Sequence, residues 1–232
     1  TKVIDAKGKI VMPGLINTHV HTSQQLERGM GDDVDLLTWL TDRTFPYESS
    51  MTPEDSYIST LHCLIEQIRS GVTTIAEPGG QFVPSMCKAV AQSGIRGILA
   101  KSSMDYGDNL PTVWRRTTQE ELDVQEQDLK DWNNTYDGRV KVWFGLRTLF
   151  NDSDKLVLGT KELADKYKVN VMTMTGFLDG INDSLKVQNP IEEMEEDTEV
   201  NLGFDKELLY KNMVDAKADW LYELPMWDEI FT

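Results

Sequence analysis

Val3-Ile-Asp-Ala-Lys-Gly-Lys-Ile-Val-Met-Pro-Gly-Leu-Ile-Asn-Thr-His-Val-His-Thr22 decides how the rest of the chain is read. Leu15 to Val20 is a short, mostly apolar run entered through the Pro13-Gly14 break, which is the pattern of a strand. His19 and His21 stand at its far end. Strand side chains alternate between faces, so i and i+2 point the same way and can grip one ion. Neutral imidazole is the commonest protein ligand for a borderline divalent metal such as zinc. An isolated H-x-H pair is more often a chance surface pair. Here it closes an apolar strand directly before a polar loop, where a parallel α/β barrel keeps its active site.

Working outward, Lys2 to Met12 reads as a hairpin ribbon of two short extended runs around Ala6-Lys-Gly-Lys9. Thr22 to Asp35 is a polar loop, and Leu36, Leu37, Trp39 and Leu40 form a short apolar helical turn. That turn is either a lid on the barrel mouth or, through Trp39 and Phe45, a wall of a substrate pocket. Thr52-Pro-Glu-Asp55 starts a helix with a capping box and proline at the first helical position. Tyr57, Leu61, Leu64, Ile65 and Ile68 recur at helical spacing before Gly71 closes the helix at Ser70. His62, inside this helix, is read as structural. Val72 to Ala76 is the second strand, with Glu77 at its end: either a loop charge or a group that orients a ligating histidine from behind. Pro84–Ser93, a helix from the Thr118-x-x-Glu121 box to Trp132, and Ser153–Lys168 follow as helices. Ile95–Ala100, Val140–Leu146 and Val169–Met174 follow as strands. The alternation predicts a parallel βα architecture with four complete units and a fifth strand.

Gly8-Lys-Ile-Val-Met-Pro-Gly-Leu-Ile-Asn-Thr-His-Val-His-Thr22 resembles the first barrel strand of the amidohydrolase superfamily. Within it, the likeness is to the branch of adenosine-type and guanine deaminases and triazine chlorohydrolases. Leu26-Glu-Arg-Gly29, Trp39 to Glu48 and Arg69-Ser-Gly-Val-Thr-Thr74 fit the same branch, and the resemblance runs to about Lys168. It implies an α/β fold, here an incomplete (β/α)8 TIM-type barrel. Residues 1–14 would be the β-ribbon remnant of a composite β-sandwich, 15–175 the N-terminal part of the barrel, and 176–232 an unrelated acidic tail. The implied activity is metal-dependent hydrolysis of C–N bonds other than peptide bonds. A water activated by the metal displaces an amino or chloro group from a purine, pyrimidine or triazine-like ring, while a carboxylate carries the proton. His19 and His21 would be metal ligands, with zinc the expected ion and iron the second choice. Glu48 falls where relatives place a carboxylate for ribose hydroxyls, with a surface carboxylate as the alternative; Trp39 would help wall the pocket. A small N-heterocycle is the implied substrate.

The same resemblance exposes a gap. On the fifth strand the family carries a further histidine motif and an acid/base glutamate, whereas this chain reads Val171-Met-Thr-Met-Thr-Gly176. Thioether is too soft for zinc, and neither side chain shuttles protons at neutral pH. The whole chain has three histidines, so none remains to complete the set. Little or no turnover is therefore expected of the isolated, truncated chain. The rival expectation is a non-catalytic scaffold whose open strands are covered by the tail helix or by a second chain, which makes a homo-oligomer an expected assembly.

Bulk properties narrow the function classes. Of the net charge of −16, −11 falls from Gly176 onward, where 15 acidic residues face 4 basic ones. Such a chain repels phosphate backbones, so nucleic acid is not an expected partner. No apolar run approaches a membrane span. Cys63 and Cys87 lie in predicted helices without C-x-x-C spacing and no signal pattern is present, so a cytoplasmic protein with reduced thiols is expected. In the tail, Ile191 to Glu199 reads as a solvated acidic run, and Asp205 to Leu224 as an amphipathic helix.

Overall fold

Parallel strands alternating with helices organise the chain, as the periodicity predicts. The computed structural model describes residues 3–148 and 150–173, all within one compact unit. Strand β1 (Leu15–Asn17) is followed by a 3-10 turn at Thr22–Glu27, then by α1 (Leu36–Thr38), a π-helical stretch at Trp39–Thr44 and α2 (Phe45–Ser50). Next come α3 (Pro53–Arg69), β2 (Val72–Gly80), α4 (Val83–Ser93), β3 (Arg96–Lys101), α5 (Thr118–Trp132), the short α6 (Thr135–Gly138), β4 (Val140–Val142), β5 (Phe144–Leu146), α7 (Asp154–Tyr167) and β6 (Val171–Thr173). Strands β1-β2-β3-β4 form one parallel sheet and β5-β6 a second parallel pair. The tail expectations for 176–232, and the end of the last strand at Met174, lie outside the described residues.

Helices cover the sheet through one core. Leu64 of α3, Met86 and Val90 of α4, Leu129 of α5 and Ala164 of α7 close on Ile75, Leu99, Val142 and Phe144 of the strands. Cys63 and Cys87 are buried and free; burial pushes the Cys63 thiol up to about 12 and raises that of Cys87 as well, so they act as small apolar fillers. A second cluster, Leu40, Phe45, Met104, Leu110 and Trp114, ties the 36–50 helical run to the loop after β3. Trp39 packs against this cluster, and its ring lies against Gly31, where an added Cβ would come within 2.5 Å of the indole.

Several expectations are corrected. The ribbon turn forms, with Lys9 N–H donating to Ala6 O at 2.9 Å and Gly8 at φ +74°, but no ladder follows and Val3, Ile4, Ile10 and Val11 stay exposed. A two-stranded ribbon with no surface to pack on is marginal in water. The fourth strand is split at Trp143: β4 pairs with β3, whereas β5 pairs with β6. Gly145 permits this shift, since a Cβ there would sit 2.1 Å from Lys101 O. The box on α5 is built by Thr117 and Glu120, one residue earlier than predicted. On α3 the buried face is Ser56, Ser59, Thr60, Cys63 and Leu64, while Ile65 and Ile68 are exposed, which inverts part of the expected stripe. The box at Thr52 and Asp55 and the left-handed Gly94 cap of α4 stand as predicted.

Candidate active site

His19 and His21 sit where β1 reaches the rim. The β1–β2 pairing is carried past Asn17 by Val20 N–H donating to Ala76 O at 3.1 Å. Strand alternation then sets both imidazoles on one side, with ring centroids 5.1 Å apart in an edge-to-face arrangement. The turn after His21 is fastened by the polar face of α3. Ser59 Oγ lies 2.9 and 2.8 Å from the carbonyl oxygens of Thr22 and Ser23, and the hydroxyls of Thr22 and Thr60 meet at 3.1 Å. That is why small hydroxyl residues, and not the isoleucines, occupy the buried side of α3.

Glu77 is fully buried on β2 beside His21. Its Oε1 lies 3.1 Å from His21 Nδ1 and accepts the Gly79 amide at 3.1 Å, while its Oε2 accepts the Thr22 amide. Pro78 follows directly, and the β2–β3 register shifts between Glu77 and Gly80. A residue without N–H belongs at such a break. Burial alone would raise the Glu77 carboxyl, but His21 and the Thr22 amide more than offset it and hold it below the ordinary value. His19 is lowered, first by burial and then by the proximity of the His21 ring.

Glu48 is not a surface carboxylate. It is buried on α2, accepts Gln24 Nε2 at 3.0 Å and meets Arg147 Nη2 at 3.3 Å. Arg147 follows β5, is fully buried, and donates from Nη1 to Gly79 O and Ser102 Oγ, each at 3.2 Å. It is the residue that sequence reading missed. The signal was available: like Glu77, it is a charge immediately after an apolar strand. Glu27, in the stretch Leu26 to Gly29, joins the group with Oε1 accepting from Thr44 at 3.0 Å. Burial raises its carboxyl, and the Glu48 charge adds to that rise. Trp39 packs against the second apolar cluster, and Phe45, 1% exposed, is one of that cluster's buried members. His62 lies on the exposed side of α3.

Whether a divalent ion suits this corner can be judged from the donors. His21 Nε2 is buried without a hydrogen-bond partner among the described residues, which is the state of a nitrogen reserved for a ligand. With His19 alongside, two imidazoles fit such an ion. Among the described residues no group of three or more His, Cys, Asp or Glu side chains completes a metal cage. β6 offers Val171, Met172 and Thr173 at the position where the sequence showed the gap.

Comparison with known proteins supports the same assignment of fold. A 5'-deoxyadenosine deaminase of Methanobrevibacter smithii is 35% identical over 223 residues, covering 95% of this chain and 48% of the relative. The chain thus spans about half that relative's length. The guanine deaminase of C. acetobutylicum with bound guanine superposes with a TM-score of 0.64 at 26% identity, covering 69% of this chain and 39% of that one. An adenosine deaminase from Xanthomonas campestris with bound zinc gives 0.62 at 25% identity, covering 71% and 36%. These structures are similar over part of the parallel sheet and helices described above. The likeness does not end near Lys168, as the sequence suggested, because the family model matches residues 10–204. With that match covering most of the chain, on a parallel βα scaffold with paired histidines at its rim, the chain belongs to the amidohydrolase family.

Proposed function

We propose that this chain carries the first half of the active site of a metal-dependent aminohydrolase for adenine-bearing nucleosides. The observation that carries the reading is the His19–His21 pair with the unpartnered Nε2 of His21 at the end of β1. Deamination is favoured over dechlorination because the relative matched over 95% of this chain is a deaminase of 5'-deoxyadenosine. Zinc is the ion of choice, in keeping with two imidazole donors and with the zinc-bound neighbour.

His19 and His21 would hold the ion, which supplies Lewis-acid activation of water at neutral pH. Glu48 would accept hydrogen bonds from ribose hydroxyls, with Arg147 beside it at 3.3 Å. Arg147 keeps Nε without a partner among the described residues, a donor left over for substrate. No described side chain at the rim takes the acid/base role on the fifth-strand side, where Thr173 and Met172 stand. The isolated chain is therefore expected to bind metal and turn over slowly.

The test is elemental analysis of the dialysed protein, with a His19→Ala/His21→Ala control, followed by an ammonia-release assay on 5'-deoxyadenosine. About one equivalent of zinc, absent from the control, supports the reading. No metal in either sample overturns it in favour of a scaffold. Chelator-sensitive release of ammonia at a rate typical of whole enzymes, on the order of 1 per second or faster, would show that the missing acid/base group is supplied elsewhere in the chain.

A further inference from the structure

We propose that Glu77 is the positioning residue of the metal centre: it fixes the tautomer of His21 and makes Nε2 the anchoring ligand atom. The inference rests on the metal-binding reading above and assigns a role to a side chain on a different strand.

The argument is one of donors and acceptors. An ionised carboxylate only accepts, so the 3.1 Å contact between Glu77 Oε1 and His21 Nδ1 requires the proton on Nδ1. A second proton on Nε2 would be buried without an acceptor, because no described residue accepts there. The remaining arrangement leaves a lone pair on the buried Nε2, in a ring whose centroid lies 5.1 Å from that of His19. Glu77 itself cannot swing away. Its two oxygens take the Thr22 and Gly79 amides, which ties the end of β1 to the end of β2, and its side chain is wholly buried. Among the described residues His19 has no comparable brace: its ring is more exposed and its described ring contact is with His21. The centre is therefore asymmetric, with one ligand preset from behind and one free to adjust. A carboxylate behind a ligating imidazole fixes its orientation and raises its basicity, and its loss costs roughly ten- to a hundredfold in metal affinity.

Two measurements on the 232-residue chain test this. The first is the nitrogen-15 spectrum of the histidine side chains without metal, with the His21 signals assigned by their loss in His21→Gln. The expected result is a proton on Nδ1 and none on Nε2; a proton on Nε2 in the parent chain overturns the proposal without any Glu77 variant having to fold. The second is a cobalt titration followed by visible absorption, comparing the parent, Glu77→Ala and Glu77→Asp. Affinity should fall roughly ten- to a hundredfold in Glu77→Ala and recover in part in Glu77→Asp. Cobalt binding that is unchanged in Glu77→Ala overturns the proposal and leaves the metal reading standing. No cobalt uptake by the parent chain, with Nδ1 protonated as expected, overturns the metal reading and the ligand role with it.

Discussion

Two buried carboxylates, one on β2 and one just before α7, behave in opposite ways. Glu77, on β2, is fully buried and accepts from His21, Thr22 and Gly79; its carboxyl is held below the ordinary value. Asp152, at the entry to α7, is nearly as buried, yet neither oxygen has a partner among the described residues, and burial, then the charges of Asp105 and Glu121, push it up to about 8. Depth is shared, so depth does not decide the charge state. The supply of N–H groups does: His21, the Thr22 amide after β1 and the Gly79 amide at the kink of β2 all face Glu77, whereas the donors near Asp152 are already spent. Asp105 takes Ser153 N and Oγ at 2.7 Å each, and Lys101 is committed to Glu121 at 2.7 Å. A charge maintained in the interior marks a carboxylate supplied with donors, and a neutralised one marks a carboxylate left without them.

The largest effect is expected at the satisfied carboxylate. Glu77→Leu keeps the volume but strands three donors in the interior. The loss should be about 4–6 kcal/mol in urea denaturation, since each orphaned buried donor costs roughly 1–3 kcal/mol. A loss below about 1 kcal/mol would mean that water reaches the β2 rim and that the amides are not what holds the charge.

Next in size is Arg147→Met, expected to cost about 3 kcal/mol because it leaves Glu48 buried with only neutral donors. The double variant with Glu48→Leu should recover much of the loss, since an apolar pair in place of a buried ion pair is often neutral. Additive losses in the double-mutant cycle would show that the 3.3 Å pair is not coupled.

Asp152 gives a smaller effect of the other sign. Its folded carboxyl holds a proton that the unfolded chain releases near pH 4, so the folded state binds more protons across that window. Its stabilising contribution is full below about pH 4 and is lost as pH rises through about 8. Asp128, raised to about 6 chiefly by burial, adds a slope of the same sign at lower pH, so the comparison belongs above pH 6.5. Asp152→Asn should be about 2 kcal/mol less sensitive than the parent between pH 6.5 and 9. Parallel curves would show that Asp152 is solvated or finds a donor.

Much of this contrast was legible in the sequence where the signal is local. The capping boxes, the Gly94 stop, the βα alternation and the His19–His21 pair follow from residue type and spacing, and Glu77 was flagged by its place after a β-branched run. What was hidden depends on distant partners. Ser59 and Thr60 look like a solvent face by composition, and only the proximity of the Thr22 turn, some 37 residues earlier in the chain, makes that face the buried one. The split at Trp143 is set by which neighbour each half can reach, which no periodicity within Val140–Leu146 encodes. A surface position stayed open as an alternative for Glu48 because its counter-ion, Arg147, lies 99 residues away. Periodicity detects where apolar surface goes; it carries nothing about which buried charges will meet.

The smallest effect supplies the baseline against which these buried charges are judged. Arg28 and Glu66 form a two-pronged pair at 3.1 and 2.7 Å, shorter than the contact of Arg147 with Glu48, but both side chains are about half exposed. In water the attraction is screened and the ordering of two long side chains opposes it. Glu66→Gln should therefore cost about 0.5 kcal/mol, and less in high salt, despite the better geometry. If it cost as much as Arg147→Met, distance would matter more than dehydration, and the contrast between Glu77 and Asp152 would lose its basis. If it costs little, the same carboxylate chemistry is seen at three levels: solvated and nearly neutral in energy, buried and satisfied, buried and stripped of its charge.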